Sequence, residues 1–288
     1  MFSSLKLGKF FGIDLYVHAT FWLLPLFVFF SGAMSGDLTG AALDVAMIFA
    51  VFGCVVLHEV GHALAAAYYG IRTRHITLYP IGGVAALERM PERPLHEIVV
   101  ALAGPAVNLA IALGLLGGIV LGNVALPGSL SVAGLSLLDQ FVLQLLFANV
   151  FLLVFNLLPA FPMDGGRVLR AMLNIVMPRT DATQVAVVVG SVLAAGFFLY
   201  GLYSGNIGLV LVAAVVFFLG RAELAQVRAI EARREWERRN GTGDFEGPEP
   251  EVAEVISPPR FTGWVWDPGR RIWSEWRDGV LIREIPAV

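Results

Sequence analysis

Apolar positions in this chain form long, nearly unbroken runs, and polar residues are gathered into short stretches between them. Neither strand alternation nor an amphipathic helical period describes that pattern; bilayer dimensions do, since a spanning helix needs roughly 20 mostly apolar residues. Six stretches qualify, near 15–33, 41–69, 97–121, 139–158, 185–203 and 206–222. The last two are parted only by Tyr203-Ser204-Gly205-Asn206, and the sixth is short. The expected fold is an all-α polytopic membrane protein of six transmembrane helices. Between the second and third, Arg72 to Tyr79 alternates and Pro80-Ile81-Gly82-Gly83 turns it toward Val84-Ala85-Ala86-Leu87, which predicts a small β-hairpin dipping into the cytoplasmic side.

The pattern changes after the sixth run. Arg221 to Arg239 is charged on every face, as in a solvated helix, and residues 240–260 are acidic and proline-bearing, as in a flexible linker. Residues 261–288 hold four of the six Trp and two turn signals, Asp267-Pro268-Gly269 and Asp278-Gly279, which suits a three-stranded meander. About 28 residues rarely fold unaided, so this tail is expected to dock on a partner such as a regulatory protein, on the membrane surface or on its own chain. The organisation is therefore 1–222 in the membrane, 223–260 as charged helix and linker, and 261–288 as a small β unit.

Composition agrees. The 288 residues are 57% hydrophobic and 15% charged, with a mean hydropathy of +0.73, whereas a soluble domain is about 25% charged. Charge placement adds orientation. All 20 Lys and Arg fall in the N-terminus (Lys6, Lys9), in alternate loops (Arg72, Arg74, Arg89, Arg93; Arg167, Arg170, Arg179) or from Arg221 onward. The positive-inside rule then puts both termini in the cytoplasm. The net charge of −3 offers nothing to nucleic acid, and the single Cys54 excludes an intramolecular disulfide. A basic start with Ser31-x-Ala33 is the outline of a signal peptide, but the apolar run exceeds the usual 7–15 residues or so of one.

The chemistry sits inside the second run, at His58-Glu59-Val60-Gly61-His62. On a helix, four residues advance about 400° and about 6 Å, so both imidazoles share a face and converge on one metal ion. Glu59 is placed to take a proton from a metal-bound water, as in zinc peptidases. Two His leave such a metal one protein ligand short. Asp164 is the best third candidate: Pro159 and Pro162 end the fourth run on the side where His58 and His62 lie, and a carboxylate in an apolar setting is costly unless it holds a cation. Asn108, near the Gly104-Pro105 kink, and Asn149 read as inter-helix hydrogen-bonding residues. Cys54 lies one turn before His58; packing is the ordinary role of a buried Cys, ligation the alternative. His18 is expected to pack in the first span. Gly61 clears room for a close approach, and Arg167 either steadies Asp164 or is a topology charge.

With these motifs in place, His58-Glu-Val-Gly-His62, Gly104-Pro-Ala-Val-Asn108 and Asn156-Leu-Leu-Pro159 followed by Asp164-Gly-Gly, the chain resembles the site-2 proteases, intramembrane zinc metallopeptidases, over roughly residues 8–222. It resembles their compact six-span branch, because no PDZ insertion or CBS pair is visible. The resemblance implies one Zn2+ per chain on His58, His62 and Asp164, Glu59 as catalytic base, and Asn156 of the N-x-x-P segment, with Pro159, against substrate. Gly82 and Gly83 join them if the hairpin edge pairs with an extended substrate strand; a plain connecting hairpin is the alternative. It further implies a bacterial or archaeal cell membrane, and hydrolysis of a peptide bond within or beside the span of a membrane protein, such as a tethered anti-sigma factor, in regulated intramembrane proteolysis. The alternatives from other classes are a metal ion transporter and a catalytically inactive protein that binds membrane clients.

Overall fold

A computed structural model describes residues 4–80, 82–91, 93–121, 136–240, 263–267, 272–277 and 280–286. The chain divides into two units, Met1–Arg228 and Ala229–Val288.

Five helices in the described residues are long and apolar enough to cross a membrane: α2 (Leu38–Tyr68), α3 (Pro94–Leu121), α4 (Leu137–Asn156), α6 (Arg179–Ser204) and the apolar part of α7 (Ile207–Asn240). Their outward faces carry large apolar side chains, Phe151 64% and Phe218 68% exposed among them. Asn108, Asn149 and Thr183 are instead fully buried. This inverted distribution belongs to a chain solvated by hydrocarbon, where apolar surface is free to face outward and polar groups must be satisfied within. α7 is one continuous helix, so the charged segment after Arg221 extends the sixth run rather than forming a separate element.

The first run departs from expectation. Residues 15–18 belong to a strand, a 3-10 turn follows at Ala19–Trp22, and α1 (Leu23–Met34) has only 12 residues. At about 18 Å, α1 is shorter than a hydrocarbon core of about 30 Å, so among the described residues five helices, rather than the six expected, have the length to span one. The reason lies in what covers α2. Strands β1 (Ser4–Phe10), β2 (Ile13–His18), β3 (Thr73–Tyr79) and β4 (Gly82–Leu87) form one sheet in the order β1-β2-β3-β4, antiparallel except for the parallel β2–β3 pair. Val17 of β2, Phe21 and Leu78 of β3 pack together with Phe52 and Val56 of α2. The sheet thus occupies the flank of α2 that the lower half of a first span would otherwise cover, and α1 needs only to return along the rest, where Gly32 meets Ala41.

Two further corrections follow. The unit is not all-α, and the hairpin of β3 and β4 is half of a four-stranded sheet rather than a lone ribbon. His18 ends β2 instead of sitting in a span; its Nδ1 lies 2.7 Å from Thr20 Oγ1, and its ring packs 5.0 Å from that of Tyr79.

α3 runs through the middle of the first unit and packs on α2, α4 and the short α5 (Asp164–Leu173). The turn between α4 and α5 is held by Ala160 and Met163 against Ala194, Ala213 and Val216 of α6 and α7, and by Phe161 against Ala186, Val187 and Leu224. In the second unit, β5 (Gly263–Asp267), β6 (Ile272–Arg277) and β7 (Val280–Pro286) form an antiparallel meander. The linker expected at 240–260 lies, beyond Asn240, outside the described residues.

Candidate metal centre

Helical spacing places His58 and His62 on the buried face of α2, 6% and 4% exposed. Asp164 opens α5, following the turn Leu157–Met163, and is equally buried. Gly165 and Gly166 let that turn sit directly on the start of α5: a Cβ on Gly166 would lie 2.6 Å from the main-chain carbon of Ala160, and one on Gly165 would collide with the carbonyl oxygens of Leu157 and Leu158. These residues, over 100 positions apart in sequence, meet through α3.

Three ligand-type atoms converge. His58 Nε2 and His62 Nε2 are 3.0 Å apart, and Asp164 Oδ2 lies 3.1 Å from the first and 3.2 Å from the second. Among the described residues this is the one group of three or more His, Cys, Asp or Glu arranged to hold a metal ion. The other ring nitrogens are engaged. His62 Nδ1 donates to Val100 O at 2.7 Å, and His58 Nδ1 lies 2.5 Å from Asn108 Oδ1. With Nδ1 protonated on both neutral rings, both Nε2 atoms present lone pairs to each other and to a carboxylate. Three such acceptors at this range repel unless a cation joins them. Tetrahedral zinc with bonds of about 2.0–2.1 Å has ligand-to-ligand edges of about 3.3 Å, so the triangle fits zinc in both donor type and size.

The helix opposite has been cleared for these rings. A Cβ on Gly104 of α3 would lie 2.7 Å from His58 Nε2 and overlap His62 Nε2. Gly61 does the reciprocal service, since a Cβ there would meet Ala103 O and Val107 Cγ2 at 2.8 Å. Its expected role in close approach is therefore visible as a helix-to-helix contact.

Glu59 is half-buried, about 100° round α2 from His58. It lies beneath β4: a Cβ on Gly83 would come 2.8 Å from Glu59 Cγ. Gly82 adjoins it at a φ of +141°, with nothing crowding its Cβ position. Gly83 thus lies where an edge strand passes over the acid, with Gly82 next to it in the strand. Asn156 ends α4 and is half-buried, as is Pro159 in the following turn. Arg167 is half-buried one turn beyond Asp164. Cys54 is buried but outside the group; Asn149 Nδ2 approaches its Sγ at 3.4 Å.

Two features escaped the reading of the sequence. Asn108 and Asn149 do bridge helices, as expected, but the bridge runs to His58. The signal was the spacing of Gly104 and Asn108, which four residues apart share the face of α3 turned to α2. The second is Arg170, read as a loop charge that reports topology and found fully buried. Its Nε donates to Glu97 Oε1 at 2.9 Å and its Nη1 to Glu223 Oε1 at 2.5 Å, and Arg179 Nη2 lies 3.5 Å from Glu97 Oε2. The cluster ties α3, α6 and α7 to the helix that starts at Asp164.

The profile of Peptidase family M50 matches residues 46–145 and 120–198. A zinc metalloprotease of Methanocaldococcus jannaschii is 38% identical over 228 residues, which are 79% of this chain and 62% of that protein. Stage IV sporulation protein FB of Bacillus subtilis is 27% identical over 175 residues, 60% of this chain and 52% of that protein. The chain thus spans less than two thirds of the length of these curated relatives. Among solved structures, a site-2 protease from Methanocaldococcus jannaschii is similar, with a TM-score of 0.55 and 35% identity, over 77% of this chain and 95% of that one.

Proposed function

The chain belongs to peptidase family M50, the site-2 protease family, and from that premise we propose that it is an intramembrane zinc metalloendopeptidase, cutting a peptide bond within or beside the span of a membrane protein. The observation that carries this reading is the triangle of His58 Nε2, His62 Nε2 and Asp164 Oδ2, with edges of 3.0–3.2 Å, on the buried faces of apolar helices. A metal transporter would need no acid such as Glu59 beside the ligands and no strand laid over it.

In this reading His58, His62 and Asp164 hold the ion. A zinc ion held there would supply Lewis acidity, enough to polarise a carbonyl and to lower the pKa of a water toward neutrality. Glu59 then takes the water's proton on its carboxylate and hands it to the leaving amine nitrogen. The chain's other contribution is to present an extended backbone. A helical carbonyl is hydrogen-bonded within its own turn, so the substrate must unwind locally, and sequences with helix breakers should be cut preferentially. The edge of β4 at Gly82 and Gly83 offers main-chain groups to such a segment directly above Glu59. Asn156, with Pro159 shaping the turn that follows it, offers an amide to the unwound strand or to the developing negative charge on oxygen. The client suggested by resemblance is a membrane-tethered regulator, released in regulated proteolysis.

Glu59→Gln, reconstituted in proteoliposomes with single-span substrates that carry helix-breaking residues, should keep its zinc and yield no cleavage product by mass spectrometry. Cleavage at the wild-type rate would remove Glu59 from the role of base. The same variant, unable to release what it binds, should retain its client for identification.

A further inference from the structure

We propose that Asn108 and Asn149 are positioning residues of the metal centre, which fix the hydrogen of His58 on Nδ1 by referring it to a main-chain carbonyl, that of Leu145. The relay starts at Leu145 O, which can only accept. The Asn149 atom 2.9 Å from it must therefore be the amide nitrogen, and Asn149 Oδ1 is turned to Asn108. That oxygen too can only accept, so the Asn108 atom 3.0 Å away is Nδ2. Asn108 Oδ1 then faces His58 Nδ1 at 2.5 Å, and a ring nitrogen so close to an acceptor must carry the hydrogen. His58 Nε2 is left with its lone pair directed at His62 and Asp164.

Packing alone would not give this result. The two ends of an amide have nearly the same shape, so an isolated Asn108 would fit its pocket in either orientation, and flipped it would turn a donor on His58 Nδ1. That flip would require the hydrogen to move to Nε2 and would block the lone pair. Both Asn residues are 0% exposed, so water does not complete the network, and an unmatched amide there is costly. His62 obtains the same outcome in one step, because its Nδ1 reaches Val100 O directly. His58 reaches a carbonyl on α4 only through two amides.

The relay rests on the metal reading above, and its test separates the two. Zinc affinity of the full-length protein is measured by competition with a chromophoric chelator, with melting temperatures recorded on the same samples. Asn108→Leu should weaken zinc binding about 10–100-fold, whereas Asn108→Asp should bind more tightly than Asn108→Leu, because a carboxylate presents an acceptor to Nδ1 whichever way it turns, while its other oxygen takes the place of the Nδ2 donor and obliges Asn149 to turn its amide. For the same reason Asn149→Leu should weaken zinc in the wild-type background and leave it unchanged in the Asn108→Asp background. Equal losses from Asn149→Leu in both backgrounds would mean a general packing effect and overturn the relay, and so would undiminished affinity in Asn108→Leu. If Asn108→Leu does not fold, the two-background comparison decides by itself. Absence of zinc from the wild type would overturn the metal reading and the relay with it; a zinc-loaded wild type with an insensitive Asn108→Leu overturns the relay alone.

Discussion

Gly104 bears on both imidazoles at once, and that makes one hydrogen atom's replacement by a methyl group a sharp probe of the centre. Overpacking costs about 1–3 kcal/mol, and at Gly104 the strain falls on two Nε2 atoms. Gly104→Ala should therefore lose roughly tenfold or more in zinc affinity by chelator competition, while the far-ultraviolet circular dichroism stays that of the wild type. Unchanged affinity would mean that the rings do not lie against α3. His58, His62 and Asp164 stood out in the sequence because few side chains are as costly in hydrocarbon, and a shared cation is what makes the three tolerable together. Asn108 and Asn149 did not, since an Asn in a span ordinarily bonds to any neighbouring helix. Only the 2.5 Å approach to His58 gives Asn108 its particular task.

At the scale of elements, Arg170 explains how α5 keeps its place although it is short. Its guanidinium reaches Glu97 on α3 and Glu223 on α7 and covers the Phe161 ring at 5.1 Å. Arg170→Met would leave Glu97, 3% exposed, with a single ion-pair partner at 3.5 Å. Stripping the main partner from a buried pair costs about 3–5 kcal/mol, so the variant should melt well below the wild type in detergent and lose zinc as α5 loosens. Equal melting temperatures would deny the cluster that role. Arg170→Lys should recover only part, because a point charge does not span two carboxylates as the planar fork does. Long apolar runs predicted α2, α3 and α4 within three residues and the end of α6 within one, since a spanning helix has no alternative way to satisfy its backbone; α6 starts six residues before its apolar run, at Arg179. The first run misled because its initial residues, Leu15 to Val17, are apolar for a different reason: they belong to a strand whose Val17 packs on α2. Alternation in Ser4 to Phe10, the strand's partner, is short and easily absorbed into a basic N-terminus.

For the whole molecule, if the successive apolar helices α2, α3, α4, α6 and α7 each cross the bilayer, the loops rich in Arg fall on one side. By the positive-inside rule, the Lys and Arg distribution predicts that this side is the cytoplasmic one. In a Cys54→Ala background, Arg72→Cys and Arg221→Cys should react with an impermeant maleimide only from the cytoplasmic face, and Gly36→Cys and Ser204→Cys only from the other. Any pair divided otherwise would contradict both helix count and orientation. The four-stranded sheet is the part of the architecture least legible beforehand, because it joins segments on either side of α1 and α2 by a parallel pairing that no local pattern announces.

Metal content tests the account most directly. Purified wild type and Glu59→Gln should each carry one zinc per chain by elemental analysis, and Asp164→Ala should carry far less and be inactive. A wild type active without metal, or an Asp164→Ala protein that keeps its zinc and its turnover, would contradict the claim that His58, His62 and Asp164 form one catalytic metal centre.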